Sequence, residues 1–146
     1  MKFFLVIDKE KEPSVTVVCD KVTRTIAQIE ELCKDEGTDI GLLYGYLEEE
    51  IVPLVLPEVT CFFTRENKVL ARMKGTDYVT KLRIKDVVDL VDDSFVKINQ
   101  GCVANVKHIK KFAASFGGSL LVFFADGYSD YVSRRELSRV KRRFGL

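Results

Sequence analysis

A mainly β fold with short helices is what this sequence predicts, on three observations. From Val59 onward the chain is a succession of apolar runs of four to seven residues separated by turn residues, the spacing of short strands rather than of helices. Only three stretches repeat apolar residues at helical intervals. Three Pro and nine Gly in 146 residues leave most of the chain free to enter regular structure.

Taken in order, Phe3–Ile7 and Val15–Cys19 read as a pair of strands around the charged turn Asp8–Ser14. A helix follows. Thr25-Ile26-Ala27-Gln28 has capping-box spacing, with Asp20 as a rival start; Ile26, Ile29 and Cys33 form its stripe and Gly37 its stop. Ile40–Leu47 and Ile51–Leu56 are strands on either side of the acidic turn Glu48–Glu50, the second closed by Pro57. Val59–Thr64 and Val69–Met73 flank the turn 65–68, and Lys74–Asp77 turns into Tyr78–Leu82. Ile84, Val87, Val88 and Val91 make one helical stripe, ended by Asp92-Asp93-Ser94. Phe95–Ile98 and Cys102–Asn105 surround the polar loop Asn99–Gly101. Lys110–Phe116 and Ser119–Phe124 surround Gly117-Gly118, a hairpin signal because glycine tolerates positive φ. Ala125-Asp126-Gly127 leads into Tyr128–Val132. The last helix starts at the capping box Ser133-Arg134-Arg135-Glu136 and carries Leu137, Val140 and Phe144 inward.

Composition narrows the function. No apolar stretch is long enough to span a bilayer, and Phe3–Ile7 is cut short by charge before it can serve as a secretory signal, so a cytoplasmic protein is expected. The four cysteines are scattered, with no C-x-x-C pair, and one His is present. Zinc chemistry of the finger type is not indicated, no cofactor is expected, and Cys61 in an apolar strand reads as a buried thiol. Catalysis finds little support. His108 sits among lysines without a nucleophile or carboxylate beside it in sequence, and no phosphate loop, GxGxxG, GxSxG or HExxH pattern occurs. No enzyme and no small-molecule substrate are expected.

Charge is divided unevenly. Residues 1–58 hold 6 Lys/Arg and 13 Asp/Glu, a net of −7; residues 59–146 hold 17 and 9, a net of +8; together they give the chain's +1. Six of the basic residues fall in the last sixteen positions, against one Glu. Lys and Arg neutralise phosphates and release condensed counterions. A helix N-terminus at Ser133 adds backbone N–H groups for a phosphate oxygen, and Arg134 there has the fork that matches guanine O6 and N7. A solvated helix face explains the charge alone equally well.

Two motifs separate these readings. Phe95-Val96-Lys97-Ile98-Asn99-Gln100-Gly101-Cys102-Val103-Ala104-Asn105-Val106-Lys107-His108-Ile109 resembles the F-x-R-I-H-R-S-x-I-V-N-x-x-x-I stretch of LytTR-type DNA-binding domains. Gly127-Tyr128-Ser129-Asp130-Tyr131-Val132-Ser133-Arg134 resembles their G-x-x-x-x-V-S-R ending before a terminal helix. The match covers residues 40–146, with the motifs in the right order and separation. It implies an elongated stack of small antiparallel sheets with short helices, in a bacterial transcription regulator whose loops enter DNA major grooves. Residues 1–39 would be an acidic β-β-α extension for dimerisation or regulation, too short for the receiver domain that family members often carry.

By the resemblance, the DNA contacts would be Asn67 and Lys68 of the first hairpin turn, Asn99 and Gln100 of the next loop, and Arg134, with Arg65 added. Lys68, Arg135 and Arg139 would hold phosphates while Arg134, Gln100 and Asn67 read bases. Asn105 would cap a turn. The implied partners are double-stranded DNA with repeated half-sites, a second protomer at least on DNA, and a membrane protein as regulator. The chain departs from the family at Asn99-Gln100-Gly101, where His, a basic residue and Ser are usual. Gln still matches adenine N6 and N7, but one phosphate contact is lost. That departure is the support for an alternative: a protein-interaction module or antagonist of the same fold.

Overall fold

The computed structural model describes Glu10, residues 14–34 and residues 43–146. The chain divides into two compact units, Met1–Gly41 and Leu42–Leu146. In the first, the helix is α1 (Arg24–Lys34). Its cap is neither Thr25 nor Asp20: the Thr23 hydroxyl accepts the Ile26 N–H at 3.4 Å, and the Ala27 N–H reaches the Thr23 carbonyl. Thr25 therefore sits inside the first turn. Ile26 and Ile29 of the expected stripe are half-buried, whereas Cys33 is exposed. The expected strand Val15–Cys19 is a correction. Residues 14–19 belong to no sheet and are exposed, Val18 at 94%. A β-branched run becomes a strand only where a neighbour completes its ladder, and among the described residues none does. Phe3–Ile7 and Gly37 lie outside the described residues.

The second unit contains β1 (Tyr44–Leu47), β2 (Glu50–Pro53), β3 (Val59–Arg65), β4 (Lys68–Met73), β5 (Thr76–Val79), α2 (Ile84–Leu90), β6 (Phe95–Asn99), β7 (Cys102–Asn105), β8 (Ile109–Ala114), β9 (Leu120–Phe124), β10 (Ser129–Val132) and α3 (Arg134–Phe144). A seven-stranded antiparallel sheet runs β2-β1-β5-β4-β3-β7-β6, and a three-stranded one runs β10-β9-β8. The mainly β fold with short helices is the one the sequence predicts. Several strand ends shift, β5 ending at Val79 and β8 at Ala114 among them. Leu56–Glu58 forms a 3-10 turn with Pro57 inside it, so β2 stops at Pro53. Thr76 and Asp77 join β5, because Lys74 and Gly75 alone, at φ 51° and 77°, make the turn.

Period-two alternation explains how the large sheet buries both faces. Cys61 and Phe63 of β3, Leu70 of β4, Val96 and Ile98 of β6, and Cys102 and Ala104 of β7 face the small sheet and α3. Phe62, Val69, Ala71, Phe95 and Val103 face the other way, toward Val87 of α2. A bulge between Val59 and Cys61 switches the parity, so Val59 shares the α2 face with Phe62. Full burial of Phe62 contributes roughly 1.5–3 kcal/mol. Cys61 is buried as expected, and the Cys61 thiol beside Cys102, with burial, pushes the Cys102 thiol well up, keeping it neutral.

On the other side of the small sheet's core, α3 buries Val140 and packs Leu137 and Phe144 against the same cluster, the Phe144 ring meeting Phe112 edge-on at 4.8 Å. Gly145, at φ 68°, ends the helix in the left-handed conformation that favours glycine. The capping box at its start is another correction. Ser133 is the N-cap, but its hydroxyl caps nothing. Its N–H donates to the Ile98 carbonyl at 2.9 Å, and the Glu136 carboxylate pairs with Arg139 at 2.7 Å, so neither half of the box forms.

Candidate nucleic-acid interface

Strand register gathers the predicted loops at one end of the sheets. The β3–β4 turn at Glu66-Asn67 and the β6–β7 turn at Gln100-Gly101 leave the large sheet at the same end, because Phe63 of β3 pairs with Cys102 of β7. Both turn residues of the first hairpin have positive φ, Glu66 at 51° and Asn67 at 61°. This is the two-residue geometry that suits the twist of the flanking strands, and Asn tolerates it better than most residues. The Thr64 N–H donates to the Gly101 carbonyl at 2.8 Å and ties the two turns together.

Asn99 extends the tie to the start of α3. Its amide nitrogen donates to Asp130 Oδ1 at 3.0 Å and to the Tyr131 carbonyl at 2.9 Å, while its oxygen accepts the Gly101 N–H at 2.8 Å. Asp130 also accepts the Tyr131 N–H and, at 3.4 Å, the Tyr128 hydroxyl. Burial and the Asp130 carboxylate push the Tyr128 phenol well above its ordinary value, so it stays a neutral donor. With the Ser133–Ile98 bond, these contacts hold Arg134 beside the Gln100 turn.

The predicted contact residues then sort into two groups. Asn67, Lys68, Gln100, Arg134 and Arg135 are exposed along this edge, and Arg134 and Arg135 have no carboxylate partner among the described residues. The other three are engaged elsewhere. Asn99 is 4% exposed and all its hydrogen-bonding groups are satisfied internally, so it shapes the loop instead of presenting a side chain. Arg65 folds back over the Phe63 ring, 5.0 Å from its centroid, and reaches Asp77 at 3.5 Å. Arg139 lies between Glu136 and the Lys97 carbonyl, 3.2 Å away, and fastens α3 to β6.

Asn105 has the turn-capping geometry expected of it. Its oxygen accepts the Lys107 N–H at 3.0 Å, and its amide donates to the Val59 carbonyl at 2.9 Å. His108 Nε2 lies 2.8 Å from the Pro57 carbonyl, a contact that fastens a 3-10 turn. Sequence reasoning missed Asp130 and Thr64. Both act on residues more than thirty positions away in the chain, and no local pattern marks them.

The far end of the sheets is built differently. Arg72 bridges Asp77 at 2.9 Å and Asp126 at 2.7 Å, lies 5.3 Å over the Tyr128 ring, and shares Asp126 with the Thr60 hydroxyl. Burial opposes ionisation of Asp126, but the Tyr128 N–H and the Arg72 guanidinium outweigh it and hold the carboxyl below its ordinary value.

The family model of the LytTr DNA-binding domain matches residues 49–145. The chain belongs to the LytTR family. A solved LytTr DNA-binding domain, from a methyl-accepting/DNA response regulator of Bacillus cereus, superposes with a TM-score of 0.67 at 18% identity, over 71% of this chain and 96% of that one. An uncharacterized HTH-type transcriptional regulator of Staphylococcus aureus strain MSSA476 is 24% identical over 100% of this chain and 99% of its own length. A similarly named protein of strain N315 is 25% identical over 71% of each. Those names refer to a helix-turn-helix, but in the LytTR unit described here α2 and α3 are separated by five strands and no consecutive helix pair occurs. Among the described residues no helix is long and apolar enough to cross a membrane.

Proposed function

We propose that this LytTR protein is a cytoplasmic transcription regulator that reads duplex DNA sequence with loops instead of a recognition helix. Arg134 and Gln100 read base edges in a major groove, Asn67 assists, and Lys68 and Arg135 neutralise phosphates. The observation that carries this reading is the bonded series Thr64–Gly101–Asn99–Asp130/Tyr131, which aligns three exposed polar loops along one edge. Its rigidity lowers the ordering cost of binding. Arg65 and Arg139 act within the fold in this reading, and Asn99 acts by shaping its loop. Two protomers on repeated half-sites follow from the small footprint of one such edge, and residues 1–39 supply a dimerisation or regulatory segment.

Selection of bound duplexes from a random pool by the full chain tests the proposal. An enriched, repeated half-site whose affinity falls steeply with salt is expected. Equal recovery of all sequences, or salt-independent capture, would favour the protein-interaction module, the reading to which Gln100 in a usually basic position lends weight.

A further inference from the structure

Phe116 stands on the tip of the β8–β9 hairpin and is 103% exposed, touching nothing that would shelter its ring. A single exposed apolar residue is ordinary on a protein surface, so exposure alone assigns nothing. Its position does. Leu120 of β9 pairs with Ala114 of β8 on one side and with Val132 of β10 on the other. Ala114, Leu120 and Val132 therefore lie on one line across the small sheet. β8 and β10 run in the same direction, so Phe116, two residues past Ala114, and Arg134, two residues past Val132, leave the sheet at the same end. Two strand spacings, about 10 Å, separate them laterally.

The hairpin is also narrow and firmly held. Gly117 and Gly118 both have left-handed φ, 80° and 81°, and a Cβ added to either would meet nothing within 4 Å. The Ser115 N–H donates to the Ser119 carbonyl at 2.8 Å and closes the loop below them. The result is a tip with one large apolar side chain, two glycines and flanking hydroxyls, projecting beside the Arg134 edge.

We infer that this tip is a fourth DNA-contacting loop, in which Phe116 packs against the sugar edges of the minor groove next to the major groove that Arg134 enters. The inference rests on the DNA-reading edge proposed above. A lateral offset of about 10 Å is close to the major-groove width of roughly 12 Å, so a tip beside Arg134 crosses the phosphate backbone. Apolar side chains are used as minor-groove wedges in other architectures, whereas a phosphate-only contact would need no phenyl ring. The small residues around it let the backbone approach closely. The wedge adds affinity with little base preference. A shallow concavity lined by Ala114, Ser115, Phe116 and Leu121 flanks the ring, and a second copy of the chain seated there is the competing occupant.

The test uses the full chain and the duplex it enriches from a random pool. Binding of wild type, Phe116→Ala, Phe116→Leu and Arg134→Ala is titrated on that duplex and on a scrambled one, with hydroxyl-radical footprints of each. Phe116→Ala is expected to weaken both duplexes roughly ten- to a hundredfold, the scale of burying one phenyl ring. It should erase one flanking minor-groove protection and leave the melting temperature unchanged. Phe116→Leu should recover most of the loss. If Arg134→Ala abolishes specific binding while Phe116→Ala binds and protects like wild type, the fourth contact is wrong and the DNA reading stands. If wild type enriches no duplex, both fail. If Phe116→Ala instead dissociates a dimer of the free protein in sedimentation, the ring belongs to a protein contact and the inference is overturned.

Discussion

At the end of the sheets formed by the β4–β5 and β9–β10 turns, Arg72 is held by Asp126 at 2.7 Å and Asp77 at 2.9 Å. At the opposite end, Arg134 and Arg135 stand exposed without a carboxylate among the described residues. The same side chain is a fastener in one place and an open donor in the other. The difference lies in its neighbours. Where register brings aspartates within reach, the guanidinium closes the fold. Where the neighbouring bonds are made by Asn99, Asp130 and backbone groups, the arginines are left for a ligand. Arg65 and Arg139, both expected at the DNA edge, belong with the fasteners.

Breaking the closed end should have the largest effect on stability. Arg72→Ala leaves two partly buried carboxylates without their partner and should cost about 3 kcal/mol, at the lower bound for a broken buried pair because the site is not fully enclosed. Chemical denaturation checks this, and DNA affinity at a temperature where the variant is folded should stay close to wild type. Asn99→Ala acts at the open end and affects both stability and binding. It removes three hydrogen bonds, should cost about 1–3 kcal/mol, and should also lower affinity, because the Gln100 turn and Arg134 lose their common anchor. Gln100→Ala should weaken binding and leave the denaturation midpoint where it was. Equal behaviour of the two variants would contradict the division between a shaping Asn99 and a reading Gln100.

That division was only partly legible in the sequence. The strands of the second unit and the α2 positions Ile84, Val87 and Val91 follow from local periodicity and turn chemistry, which act over a few residues, whereas Val88, expected in the same stripe, is exposed. Glu66-Asn67 and Lys74-Gly75 mark their turns for this reason. The family resemblance makes Asn99 a contact residue; its burial depends on Asp130 and Tyr131, 31 and 32 positions away. The fates of Arg65 and Arg139 likewise depend on Asp77, on Glu136 and on the Lys97 carbonyl. The capping box at Ser133 fails because its N–H goes to the distant Ile98 carbonyl and Glu136 pairs instead with Arg139, one turn on in the same helix. Long-range side-chain chemistry has no short-range signature.

Smaller effects sharpen the contrast by charge. Lys68→Ala should lower the slope of log affinity against log salt by roughly 0.9, the share of one phosphate contact. Gln100→Lys should raise it by about the same amount, restoring a basic residue where the family usually has one. A change in slope from a substitution at Arg72 would blur the two ends. Acid tests the closed end. The Asp126 carboxyl is held below its ordinary value of 3.8 in the folded protein. Its contribution is therefore fully present above that value and is lost as pH falls through the lower folded value. Asp126→Asn should flatten stability against pH in this acid range, measured by unfolding at successive pH values. An unchanged profile would mean that Asp126 does not carry it.

The central claim, that the open end reads DNA through a side chain the fold does not need, is tested most directly by Arg134→Ala. Its affinity for the enriched duplex should fall to that for a scrambled duplex, while its thermal unfolding matches wild type. Retained discrimination between the two duplexes, with the protein folded, would contradict the account.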